Sequence, residues 1–216
     1  MLFNGGVPTI SKVRIILASS SPRRRELLQM TGIDFDVFPP IGINEEDYVS
    51  TSPEDIVIEL ALKKAQNVAE KFLKEGERAL IIGVDTLVEI MGSILGKPSS
   101  KEEAFRMIEI LQGKTHRVFS GVVVLETPSM RIESGYEVTK VSFLYLKREE
   151  IEAYINSGEW TDKAGAYAIQ GKASLFVEKI EGCYFNVVGL PLSLLRKLLI
   201  KFDFDPLLWG DKVENA

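Results

Sequence analysis

Residues 18–26 read Ala-Ser-Ser-Ser-Pro-Arg-Arg-Arg-Glu and join a short apolar run to a helical pattern. Ser21 and Pro22 suit a helix start, as cap and first-turn residue. The N–H groups of that first turn have no intrahelical partner, and the helix dipole adds partial positive charge, so the end attracts anions. Three consecutive arginines, Arg23 to Arg25, therefore stand where cations are least welcome. A bound phosphate removes the conflict, because guanidinium groups take its oxygens in bidentate fashion. The hydroxyls of Ser19 and Ser21 and nearby backbone N–H groups would add donors. The competing reading is an exposed basic run paired with surface acids, which contributes little to anything.

Asp85 directly follows the apolar run ALIIGV. A carboxylate at the carboxyl end of a buried strand lies where open α/β sheets bind ligands, although Asp before Thr86 also suits a turn. Glu45, Glu46 and Asp47 form a second acidic group, in a loop. Clustered carboxylates suit Mg2+ or Mn2+, which bridge phosphate oxygens and neutralise developing charge; a solvated loop is the plainer explanation. Lys64 and Lys97 can each offer a point charge to a phosphate, Lys97 from a turn stiffened by Pro98.

Several other chemistries are excluded. There is no GxxxxGK phosphate loop, no GxGxxG and no GxSxG elbow. His116 is the sole histidine and Cys183 the sole cysteine, so multi-histidine metal sites, internal disulfides and cysteine-based zinc sites are ruled out. His116 reads as part of a helix-to-strand connection, and Cys183 as a hairpin residue. Water is then the better nucleophile. The 216 residues carry a formal charge of −5, without the basic footprint of a nucleic-acid binder. No signal peptide and no apolar run of about 20 residues is present, so the expected setting is cytoplasmic, with no membrane partner.

The elements that must position these groups alternate between strand and helix patterns, implying a mixed α/β sheet flanked by helices. Strands are expected at 14–18, 35–38, 79–84, 118–125 and 137–146, with a hairpin at 88–95 and a strand-turn-strand at 176–185. Helices are expected at 22–30, 53–74, 102–111 and 148–156, and from Pro191. Residues 1–205 read as one domain, compact or divided into two lobes, and 206–216 as a polar tail.

Taken together, LASSSPRRRELL, the acidic Asn44-Glu45-Glu46 stretch, LALKKA, GVDTLV, GKP, LQGKTHRVFSGV, DKAGAYAIQG and NVVGLPL resemble the Maf family of nucleotide pyrophosphatases. The resemblance runs from about Ile15 to Leu199. It implies a two-lobed fold around a deep cleft, similar to that of the inosine triphosphatases. It also implies hydrolysis of the α–β phosphoanhydride with a divalent cation, Mg2+ or Mn2+. Carried over by motif, Ser19, Ser21, Arg23 and Arg24 would bind substrate. Glu45, Lys64, Asp85 and Lys97 would line the catalytic centre, with Asp85 the proton acceptor and Glu45 and Asp85 the metal-associated acids. The family divides by substrate, and Arg23, Thr86 and Gln170 look like the dTTP/UTP branch. The 7-methyl-GTP branch and a nucleotide-binding regulator of septum formation are the alternatives. A glutamine amide places a donor beside an acceptor, complementing O4 and N3–H of uracil or thymine. Ser20 stands where many members carry glycine. A homodimer is suggested by the family.

Overall fold

The computed structural model describes residues 13–44 and 48–208. Seven strands form one mixed sheet in the order β2-β1-β3-β5-β6-β7, with β4 added to β3. β1 (Arg14–Ala18) and β2 (Asp36–Val37) flank the helix α1 (Pro22–Gln29) in the chain, and β1 pairs in parallel with both β2 and β3 (Ala79–Ile90). Every other pairing is antiparallel, through β4 (Ser93–Leu95), β5 (Thr115–Thr127), β6 (Ile132–Phe143) and β7 (Val177–Glu181).

Two layers of helix cover this sheet. On one face lies α2 (Pro53–Glu75) alone. Ser52 accepts the Asp55 N–H at its start, and Gly76, at φ +67°, ends it in the left-handed region where glycine has no Cβ penalty. Its Ala61, Ala65, Val68 and Phe72 pack on Ile16, Ala18, Ile81 and Val123. The opposite face buries alternate residues of the same strands, Leu17, Ile82, Val84 and Val122. They lie in one core with α1, α3 (Lys101–Leu111), α4 (Arg148–Asn156), α5 (Tyr184–Val188) and α6 (Leu192–Ile200). Strands buried on both faces read as continuous apolar runs rather than alternating ones, which is why RIILA and ALIIGV stand out in the sequence.

Three expectations need correction. The strand expected at 79–84 does not stop before Asp85 but continues to Ile90, because β5 pairs with it without interruption from Ala79–Thr127 to Glu89–Arg117. β6 begins at Ile132, earlier than its alternating pattern suggests, because the turn after Thr127 returns the chain at once into register with β5. The strand-turn-strand at 176–185 is a single strand, β7, followed by α5. The polar tail is described only as far as residue 208. Just before it, buried Phe204 and the Arg196–Asp205 ion pair, at 2.7 Å, hold the chain to the body.

Candidate active site

β1 ends at Ala18, opposite Gly83, and β4 joins the same strand only at Val88. Between those points the β1-side edge of β3, residues 84–87, has no strand partner among the described residues. Backbone groups on such an edge still require hydrogen bonds. The notch is completed by the loop 19–21, the start of α1, the turn after β4, residues 162–170 and the end of α5, which together enclose a cavity of about 700 Å3. That volume suits a nucleotide-sized ligand.

Arg24 fills part of the missing strand. Its Nη1 donates to Val84 O at 2.9 Å and its Nε to Gly189 O at 2.9 Å. Its Nη2 donates to Thr86 Oγ1 at 3.1 Å, and Thr86 Oγ1 lies 2.8 Å from Ser120 Oγ. Gly189 is in turn held by α5, whose Asn186 Nδ2 donates to Val118 O and Thr139 Oγ1 on the sheet. One guanidinium thus ties α1, β3 and α5 together. Ser19, 4% exposed, accepts from Ser21 N–H and, more distantly, from Arg24. Ser21 occupies the cap position of α1, yet its hydroxyl makes no cap bond.

Arg23 behaves differently. It lines the cavity and, among the described residues, makes no hydrogen bond to this frame. Burial, and then the charge of Arg24, lowers its proton affinity. The two neighbours are therefore separable by experiment. Arg24→Ala leaves the buried carbonyls of Val84 and Gly189 without these donors, at about 1–3 kcal/mol each. At this chain length each kcal/mol is worth about 2–4 °C, so its thermal midpoint is expected to fall by several degrees. Arg23→Ala is expected to keep the midpoint within about 2 °C while losing most of the stabilisation conferred by added tripolyphosphate. Thermal unfolding with and without tripolyphosphate checks both.

The other face of β3 supplies the carboxylate. Gly83, Asp85 and Leu87 point toward α2, since alternate residues share a face. A Cβ at Gly83 would fall 2.1 Å from Ala61 O, and one at Gly121 2.4 Å from Val57 O. These two glycines let the helix backbone lie directly on the sheet. Lys64 consequently reaches Asp85, with Nζ 2.6 Å from Oδ1 and both residues only 5% exposed. Unpaired charges are seldom tolerated at that depth, so each residue fixes the other.

Ser19, Ser21, Arg23, Arg24, Lys64, Asp85, Thr86, Lys97 and Gln170 all line this one cavity, although they span most of the chain. Glu45, with Glu46 and Asp47, lies outside the described residues. Sequence reasoning assigned no role to Asp162, Lys163 or Tyr167, which line the cavity as well. The sequence contains no local sign that Asp162 and Lys163 approach Arg23. Among the described residues, five cations, Arg23, Arg24, Lys64, Lys97 and Lys163, meet two carboxylates, Asp85 and Asp162. A site with this surplus, in a chain of net charge −5, concentrates polyanions. His116, 1% exposed, lies beneath the 162–170 segment, its Nε2 2.8 Å from Tyr167 Oη; burial pushes its pKa down to about 4, so it is neutral at neutral pH.

Among the described residues no group of three or more histidine, cysteine or acidic side chains is placed to hold a metal, and no helix is long and apolar enough to cross a membrane.

Residues 14–202 match the family of Maf-like proteins. The dTTP/UTP pyrophosphatase of Caldicellulosiruptor bescii is 50% identical over 192 residues, covering 89% of this chain and 96% of that protein. The dTTP/UTP pyrophosphatase of Carboxydothermus hydrogenoformans is also 50% identical over 192 residues, covering 89% of this chain and all of that protein. Among solved structures, the nucleoside-triphosphatase (dITP/XTP pyrophosphatase) of Mycobacterium abscessus is 13% identical at a TM-score of 0.36, covering 62% of this chain and 76% of that one.

Proposed function

The chain belongs to the family of Maf-like proteins, and we propose that it hydrolyses dTTP and UTP to the nucleoside monophosphate and pyrophosphate. The observation that carries this reading is the buried Lys64–Asp85 pair, 2.6 Å apart, in a cavity whose described lining also includes Arg23, Arg24, Lys97 and Lys163. The 50% identity over nearly the whole length of proteins bearing that activity in their names supports the substrate.

In this reading Arg23, Lys97 and the donors of the 19–21 loop hold the phosphate chain. Asp85 accepts the proton of a water that attacks the α-phosphorus. The new P–O bond forms as the bridging α–β P–O bond breaks, and the electron pair leaves with pyrophosphate. Lys64, 2.6 Å away, balances the charge of Asp85 and keeps it aimed. With no protein nucleophile, the work is positioning and electrostatic stabilisation.

A divalent cation fits the donor set in one particular way. Asp85 is a single buried carboxylate, and magnesium is ordinarily bound through one or two carboxylates together with substrate phosphates. Asp85, joined by Glu45 on sequence grounds, would hold it. When bound, the ion supplies charge neutralisation at the phosphate oxygens. A cytoplasmic setting, where nucleotides are abundant, belongs to the same reading.

Gln170 lines the cavity with an exposed side chain, as a base-reading amide requires. Incubating the purified protein with Mg2+ and a panel of nucleoside triphosphates, and assaying pyrophosphate, tests both points. Release is expected first from dTTP and UTP, with the pyrimidine preference falling about tenfold in Gln170→Ala. Release from 7-methyl-GTP alone would move the chain to the other branch of the family. No release from any triphosphate would favour a nucleotide-binding regulator.

A further inference from the structure

We propose that Lys163 is a substrate-binding residue that, with Arg23, holds the β- and γ-phosphates of the triphosphate. The proposal deepens the function above and rests on it.

Lys163 comes from the 162–166 turn, far in sequence from α1, and the two meet at one cavity. The turn is strained and is held in place by docking. Asp162 (φ +59°) and Ala166 (φ +61°) are non-glycine residues in the left-handed region, and Gly165 shares it at φ +68°. Such conformations persist only where the surroundings enforce them, and they gather at binding sites. Here the Gly165 N–H donates to Gly96 O at 3.0 Å, next to Lys97, and Tyr154 Oη donates to Ala166 O. A Cβ at Gly165 would press on Val88, so the turn sits tightly against β3.

This docking places Lys163 in an unfavourable electrostatic position. Burial, and then the charge of Arg23, lowers its proton affinity, while Asp162 and Glu159 offset part of that cost. Arg23 is itself partly desolvated beside Arg24. Two cations gathered at one wall, with no hydrogen-bonded counterion there among the described residues, favour a polyanion between them. The Lys163 ammonium donates to Thr161 O at 2.8 Å, which occupies one of its three N–H groups. The phosphorus under attack must lie beside Asp85, which Lys64 already holds. Arg23 and Lys163, neither of them bonded to Asp85, fall to the phosphates that depart.

The test is inhibition of the full-length enzyme by inorganic pyrophosphate. Lys163→Met is expected to weaken that inhibition about tenfold or more and to raise KM for dTTP comparably, the usual effect of losing one charge-assisted contact. kcat is expected to stay within about threefold, and inhibition by the nucleoside monophosphate to change little. Lys163→Arg should recover most of the loss, which a purely structural role for the ammonium would not produce. Unchanged pyrophosphate inhibition in Lys163→Met would overturn the proposal, as would a shift confined to base preference. Should the wild-type chain release pyrophosphate from no triphosphate, the proposed function fails. The thermal shift produced by tripolyphosphate, compared between wild type and Lys163→Met, then still decides whether Lys163 binds the anion.

Discussion

Asp85→Asn is expected to lower kcat for dTTP by about 10²- to 10⁴-fold, the usual contribution of a positioned general base. The asparagine keeps the size of the side chain and an oxygen able to accept from Lys64 Nζ, now 2.6 Å away. It removes the proton acceptor and a negative charge, and nothing else nearby in the described cavity replaces it, since Asp162 lies on the Lys163 turn. Removing one partner of a buried ion pair costs about 3–5 kcal/mol when the other charge is left bare. The retained hydrogen bond should keep Asp85→Asn below that range, whereas Lys64→Met, which removes the cation 2.6 Å from the carboxylate, should cost more than Asp85→Asn. Pyrophosphate release measured beside thermal unfolding separates the two effects. Hydrolysis at the wild-type rate by a folded Asp85→Asn protein would defeat the role given to Asp85.

Gly83→Val should be the most damaging substitution away from any reacting group. Its Cβ would lie 2.1 Å from Ala61 O and 2.9 Å from Ala65 Cβ, so relief requires α2 to move off the sheet as a body. Backbone cannot swing aside as the end of a flexible side chain can. A loss above about 4 kcal/mol places the change among the exceptional ones, equivalent to roughly 8–16 °C at this chain length. Since Lys64 rides on the same helix, any folded remnant should also hydrolyse poorly. Gly96→Ala is the control: its Cβ meets no atom within 4 Å, and its midpoint should move by no more than about 2–4 °C. A Gly83→Val protein melting with the wild type would show that this close approach does not set the helix position.

Much of the architecture could be read from pattern alone. β1 at Arg14–Ala18 and α4 at Arg148–Asn156 follow directly from apolar runs and helix-start residues, and α2 at Pro53–Glu75 differs from expectation by one residue. The errors have a common cause. Where β3 ends depends on its partner, and a polar Asp85 in mid-strand looks like a terminus until β5 is seen alongside it. The segment after Phe176 has strand-like residues on both sides of Gly182, but only the first half finds a partner in β6.

The site divides in the same way. Residue type and local order singled out an arginine loop at a helix start and an aspartate after a buried strand, while the two lysines and the glutamine gained their proposed roles through the resemblance of several spaced motifs to one family. Those assignments depend on side-chain chemistry and on neighbours a few positions away, which a sequence records. The tertiary structure alone decided how the work is divided among them. It committed Arg24 to the open edge of β3 and placed Arg23 on the cavity wall outside that frame. It joined Lys64 to Asp85 because Gly83 and Gly121 let a helix lie against the sheet, and it brought Lys163 to the cavity on a strained turn. Each of these rests on contacts between residues remote in the chain, whose geometry is fixed only when the layers pack.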